Sequence, residues 1–140
     1  MRLLVIQHEP DKGLGLLEAP LREAGAELDI CFAGQDPLGL TAHAGVIALP
    51  GVANPVDDTE AVTATRSTLR DALDRDLPIL GICLGAELLA EAANAKTAKC
   101  QAEYGFWAVS LTTDAAHDAL LADLPHRFEA FQAHGFLQPE

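Results

Sequence analysis

Short unbroken apolar runs alternate along this chain with longer stretches whose apolar residues recur every three or four positions. The first kind is the pattern of strands buried on both faces, and the second is that of helices with one buried face. Leu3–Gln7 predicts a first strand. Gly13 and Gly15 interrupt the chain, and Leu16, Leu17, Leu21 and Ala24 then follow at helical spacing. Pro20 requires that helix to begin near Ala19, because proline is tolerated only in a first turn, and Gly25 ends it. Ala26–Phe32 predicts a second strand, Ala33–Ala44 a loop rich in Gly, Pro and Asp, and Gly45–Leu49 a third strand. After the loop Pro50–Asp58, Thr59 is placed to cap a helix reaching about Arg75, with Ala61, Val62, Ala64, Leu69, Ala72 and Leu73 on its apolar face. Pro78–Ile82 predicts a fourth strand and Gly85–Asn94 a helix directly after it. The last third reads as an extended segment Tyr104–Thr112, a short helix Asp114–Leu124 and a strand Phe128–Gln132. Strand–helix alternation with fully apolar strands predicts a doubly wound, mostly parallel α/β sheet with helices on both faces.

Composition narrows the partners more than the fold. The 140 residues, 49% hydrophobic and 21% charged, suffice for one folded domain. Nine Lys and Arg against 21 Asp and Glu leave a net charge of −12, which repels phosphate backbones and anionic lipid. Neither nucleic acid nor a membrane surface is therefore an expected partner. The apolar start at Leu3 is too short for a signal-peptide core, and three cysteines at positions 31, 83 and 100 have no metal-knuckle spacing. Together these predict reduced thiols, a cytoplasmic location, no metal and no cofactor.

The sharpest local feature is Gly81-Ile82-Cys83-Leu84-Gly85-Ala86-Glu87. A buried strand runs into Cys83, and a helix leaves it with almost no loop between. A nucleophile on so tight a turn needs flanking residues without side chains, so that neighbouring backbone can pass close by. The turn places the sulfur at the carboxyl end of the sheet, where open α/β folds bind ligands. It also places it at a helix N-terminus, whose partial positive charge favours thiolate. By itself the G-x-C-x-G spacing is equally compatible with a buried structural cysteine.

Five ordered segments carry a resemblance. Gly81–Glu87 resembles the G-x-C-x-G-x-Q signature of class I glutamine amidotransferase domains, and the opening Val5–Gly13 resembles the first strand and loop of stand-alone members similar to the amidotransferase domain of GMP synthase. Val46–Val52 followed by Asp57-Asp58, the segment Glu103–Trp107, and Phe131-Gln132-Ala133-His134-Gly135-Phe136 match further family motifs in order. The resemblance implies a flavodoxin-like fold over 1–140. It also implies a reaction: Cys83 attacks the side-chain amide of glutamine or a γ-glutamyl compound, forms a thioester and releases ammonia, which a synthetase partner can receive. On the same basis Gly51 and Leu84 offer backbone N–H groups to the oxyanion, Glu87 contacts the substrate, and Gly135 and Phe136 hold its α-amino and carboxylate end.

Three positions depart from the family pattern. The family's base is a histidine in a His-Pro-Glu motif tens of residues beyond the His-Gly segment; the Pro-Glu of Leu137-Gln138-Pro139-Glu140, with Gln where His should be, reads as a chance likeness, so the chain reads as lacking the C-terminal His-x-Glu segment. That reading predicts an incomplete sheet, with an unpaired edge through which copies can associate. Glu87 stands where the family has Gln, and Pro50 replaces the first glycine of the oxyanion loop, removing an N–H. Among other histidines, His134 is a candidate pocket residue and surrogate base. His8 lies at the carboxyl end of the first strand and reads most simply as a cap on local backbone. His43, His117 and His126 fall in polar contexts and read as solvated. Cys31 reads as core, Cys100 as a half-exposed loop thiol, and Trp107 and the phenylalanines as core. Two competing functions remain: a catalytically impaired copy that binds a partner or small amino acid, and a γ-glutamyl peptidase-like or α/β-hydrolase-like cysteine hydrolase. The α/β-hydrolase form needs a longer chain to carry its acid and histidine.

Overall fold

The computed structural model describes residues 1–137, and their side chains apart from those of Cys100, Phe136 and Leu137. The chain divides into two compact units, one built on Met1–Lys99 and the other on Cys100–Gly135.

The first unit holds a four-stranded sheet of β1 (Arg2–Gln7), β2 (Glu27–Phe32), β3 (Gly45–Ala48) and β4 (Ile79–Gly81), in the order β2-β1-β3-β4. All three pairings are parallel, and Val5 on β1 lies between Ile30 and Ile47. Alternation along each strand divides the apolar run between two cores. Leu4, Ile6, Val46 and Ala48 face the core formed with α2 (Glu60–Asp74) and α3 (Leu84–Ala92). Leu3, Val5, Ile47 and Leu49 face the other, where Leu14, Ala26 and Leu21 of α1 (Glu18–Glu23) pack. This two-sided burial is why the strands read as continuous apolar runs; it makes the sheet doubly wound, as the pattern predicts, and flavodoxin-like, as the resemblance implies. The Thr59 side chain caps α2, accepting the Val62 N–H at 3.3 Å. Chain order reverses between β1 and β3, so the carboxyl ends of these two strands flank the topological switch point.

The second unit pairs β5 (Ala98–Ser110) with β6 (Arg127–Leu137) in a two-stranded sheet. Both strands are longer than the sequence pattern predicts, and β5 includes Cys100, which was expected in a loop. The helix expected over Asp114–Leu124 is instead a short 3₁₀ turn, Thr113–His117, followed by irregular turns. The break falls at Asp118, whose backbone is extended (φ −91°, ψ 125°) and whose carboxylate accepts the N–H groups of Leu120 (2.8 Å) and Leu121 (3.2 Å), capping a new turn. The aromatic residues also differ from expectation. Phe106, Trp107 and Phe131 are exposed, not core, and Phe131 instead stacks edge-on with Tyr104 and Phe106 at 5.3 and 5.5 Å. His43 departs in the opposite sense. Its side chain is 2% exposed, and Nε2 lies 3.0 Å from the Asp29 carboxylate, so tertiary packing buries a histidine that its polar neighbours had marked as solvated.

Candidate active site

The carboxyl ends of β1, β3 and β4 bring together His8, the Pro50–Gly51 loop and Cys83. Cys83 separates β4 from α3, with φ 53° and ψ −119°. These are the angles of the first corner of a type II′ turn, a position that glycine normally fills. The turn is closed by Gly85 N–H donating to the Ile82 carbonyl at 3.0 Å. The Cys83 carbonyl then accepts the N–H groups of Ala86 (2.8 Å) and Glu87 (3.1 Å), starting the helix at once.

Both flanking glycines are sterically required. A Cβ on Gly81 would lie 2.7 Å from the backbone N and Cα of Ala86. A Cβ on Gly85 would collide with the carbonyl group of Ala48 on β3. That same Ala48 carbonyl accepts the Ile82 N–H at 2.9 Å, so α3 and β3 are in backbone contact at the elbow. The tight-turn geometry inferred from G-x-C-x-G is therefore present in the fold.

Cys83 is exposed. Partial burial of its sulfur pushes the thiol above its ordinary pKa; the Leu84 N–H opposes this, and the negative charge of Glu87 adds to it. The helix N-terminus therefore acts in the expected direction but is outweighed. Glu87 itself is 9% exposed, one turn along α3. Removing its charge should stabilise the thiolate, since a like charge is withdrawn. The alkylation pH profile of Glu87→Gln is accordingly expected to move to lower pH, with faster iodoacetamide labelling of Cys83 at neutral pH; an unmoved profile would show that the charge does not reach the sulfur.

Gly51 sits between two side chains. A Cβ there would lie 2.5 Å from Leu84 Cδ2 and 3.0 Å from His8 Cβ, so the loop backbone packs against the residue that follows Cys83. His8 does not cap local backbone as expected. Its Nδ1 lies 3.2 Å from the Leu49 carbonyl, and its Nε2 lies 3.2 Å from the buried Thr65 hydroxyl on α2. Leu49 can only accept, so Nδ1 carries the proton and Nε2 accepts from Thr65. Burial lowers the His8 pKa against the opposing effects of Leu49 and Glu9, which favours this neutral form.

His134 and Gly135 lie on β6 in the second unit, where His134 Nε2 is 3.2 Å from the Glu103 carboxylate. Phe136 follows them on β6, with its side chain outside the described set, and Gln138, Pro139 and Glu140 lie outside the described residues. Among the described residues no group of three His, Cys, Asp or Glu is placed to hold a metal ion. None of the described helices is long and apolar enough to cross a membrane. Thr65 and the Leu49 carbonyl were not legible as partners of His8, because they lie 57 and 41 residues from it in the sequence.

A doubly wound sheet with a strained cysteine at a strand–helix elbow, beside a backbone loop at the switch point, defines a class of α/β proteins built around an exposed thiol. The chain belongs to the class-I glutamine amidotransferase family, whose pattern it matches over residues 16–140. It is 32% identical over 101 residues to a GMP synthase [glutamine-hydrolyzing] of Elusimicrobium minutum, a match covering 71% of this chain and 17% of that protein. It is also 32% identical over 99 residues to the imidazole glycerol phosphate synthase subunit HisH of a Synechococcus strain, covering 69% of this chain and 43% of the subunit. A glutamine amidotransferase of Thermotoga maritima shares its fold with a TM-score of 0.87 and 25% identity, over 99% of this chain and 63% of that one. The chain thus spans less than two thirds of the length of these relatives.

Proposed function

We propose that residues 1–140 form the nucleophile-bearing part of a class I amidotransferase domain, and that Cys83 attacks the side-chain amide of glutamine or a γ-glutamyl compound. The Cys83 turn carries this reading: a non-glycine residue held at φ 53° between two obligatory glycines is strain that a structural cysteine does not need. In the reaction a bond forms between Cys83 Sγ and the amide carbon, and the carbon–nitrogen bond breaks. The thiol proton leaves with the nitrogen as ammonia, and water then hydrolyses the thioester. The N–H groups of Leu84 and Gly51 are assigned to the developing oxyanion and Glu87 to the substrate. Ammonia passes to a synthetase partner, as the names of the GMP synthase and HisH relatives suggest.

A second reading, ligand binding without turnover, is favoured by the raised thiol and by the commitment of both His8 nitrogens to hydrogen bonds. One experiment separates the two. A glutamine analogue bearing a γ-chloroketone is expected to label Cys83, located by peptide mass spectrometry, with protection by glutamine. Ammonia release from glutamine, lost in Cys83→Ala, supports turnover. Labelling without ammonia leaves binding alone, and no selective labelling at Cys83 overturns both.

A further inference from the structure

The loop that carries Gly51 is held from one side by two consecutive residues at the end of β1. His8 Nδ1 donates to the carbonyl of Leu49, the residue before Pro50. Glu9 Oε1 accepts the N–H of Val52, the residue after Gly51, at 3.4 Å. The two bonds bracket Pro50–Gly51, and the His8 Cβ and Cγ pack directly over Gly51. His8 is fixed in turn by Thr65, which is fully buried on α2, so the ring spans from the helix layer to the loop. Donor accounting makes the loop's position matter. Pro50 has no N–H and that of Val52 is taken by Glu9, which leaves Gly51 as the donor of this three-residue stretch for anything bound at the elbow.

We propose that His8 is the positioning residue of this loop: its ring, held between the Leu49 carbonyl and the Thr65 hydroxyl, sets the Gly51 N–H beside Leu84 for an oxyanion formed on Cys83. The inference rests on the amidotransferase reading above. It assigns His8 no proton transfer, since both ring nitrogens are engaged. It gives the residue an effect on one class of reaction only. The thiol adds to the chloroketone carbonyl, which places negative charge on oxygen and uses the loop, before the sulfur moves to the adjacent carbon and chloride leaves; direct displacement of iodide from iodoacetamide creates no oxyanion.

The test compares the two reagents on the full chain. Loss of a single oxyanion donor typically costs about 10²–10³-fold, so a misplaced one should cost at least about tenfold. His8→Ala is expected to slow γ-chloroketone labelling of Cys83 by that factor while iodoacetamide labelling stays within about twofold. His8→Asn, whose amide nitrogen can replace Nδ1 at Leu49, should recover part of the loss and serves where the alanine variant folds poorly. Thr65→Val should give a smaller loss of the same kind. Equal slowing by both reagents, or new labelling of Cys31, would mean that His8 only supports the fold and would overturn the proposal. So would unchanged chloroketone labelling in folded His8→Asn and His8→Ala. Failure of the unsubstituted chain to react selectively with the glutamine analogue would instead sink the amidotransferase reading itself, and this inference with it.

Discussion

Gly85→Ala is expected to be the most disruptive single-methyl change in the chain, destabilising it by about 3 kcal/mol or more, at or beyond the upper end of ordinary overpacking. The added methyl has nowhere to go. It would enter the space of the Ala48 carbonyl, with the Ala48 Cβ only 2.9 Å away, and both belong to the central strand β3. That carbonyl also accepts the Ile82 N–H, so shifting it to make room strains the link between β3 and the elbow. Backbone cannot rotate aside as a side chain does, so α3 must move away from the sheet and loosen the contacts of fully buried Leu84 and Leu88. Urea denaturation followed by far-UV circular dichroism measures the effect. Gly39→Ala is the control: a Cβ there meets nothing within 4 Å, and the expected change is within about 0.5 kcal/mol. Similar midpoints for the two variants would refute the backbone-contact account of the second glycine in G-x-C-x-G.

Cys83→Gly is expected to act in the opposite direction on stability and to abolish reactivity. At φ 53° and ψ −119° an L-residue is strained, and relief of such strain is worth about 1–3 kcal/mol, reduced by the greater chain entropy that glycine loses on folding. Cys83 is exposed, so little buried apolar contact is lost with its side chain. A net gain of about 1 kcal/mol should appear as a higher urea midpoint with an unchanged slope. Labelling by the γ-chloroketone and any ammonia release should fall to background, because no other group replaces the sulfur. A site that is more stable without its reactive residue is the expected mark of strain kept for chemistry. A Cys83→Gly variant less stable than the parent would show that the turn is relaxed and would remove the main structural support for a nucleophile there.

Much of the first unit was legible because its signals are local. An unbroken run such as Leu3–Ile6 can be satisfied only between two covered faces, and Thr59 before an apolar helical stripe is a complete start signal. The second unit was less legible. There, side-chain bonds such as those of Asp118 compete with propensity, and the aromatic residues of β5 and β6 gain their environment from strand pairing and not from sequence neighbours. His43 was misjudged for a related reason: its partner Asp29 lies on β2, 14 residues earlier.

The amino-acid order alone determined the parallel architecture, the family and the cysteine elbow, because apolar runs, caps and small residues around a turn act within a few residues of one another. Only the tertiary structure decided how the elbow is furnished. Burial and Glu87 outweigh the helix terminus at the Cys83 thiol, and the end of β1 holds the Gly51 loop of the neighbouring strand β3. Those outcomes depend on which distant groups meet and how far water is excluded from them, and the folded chain alone sets those distances.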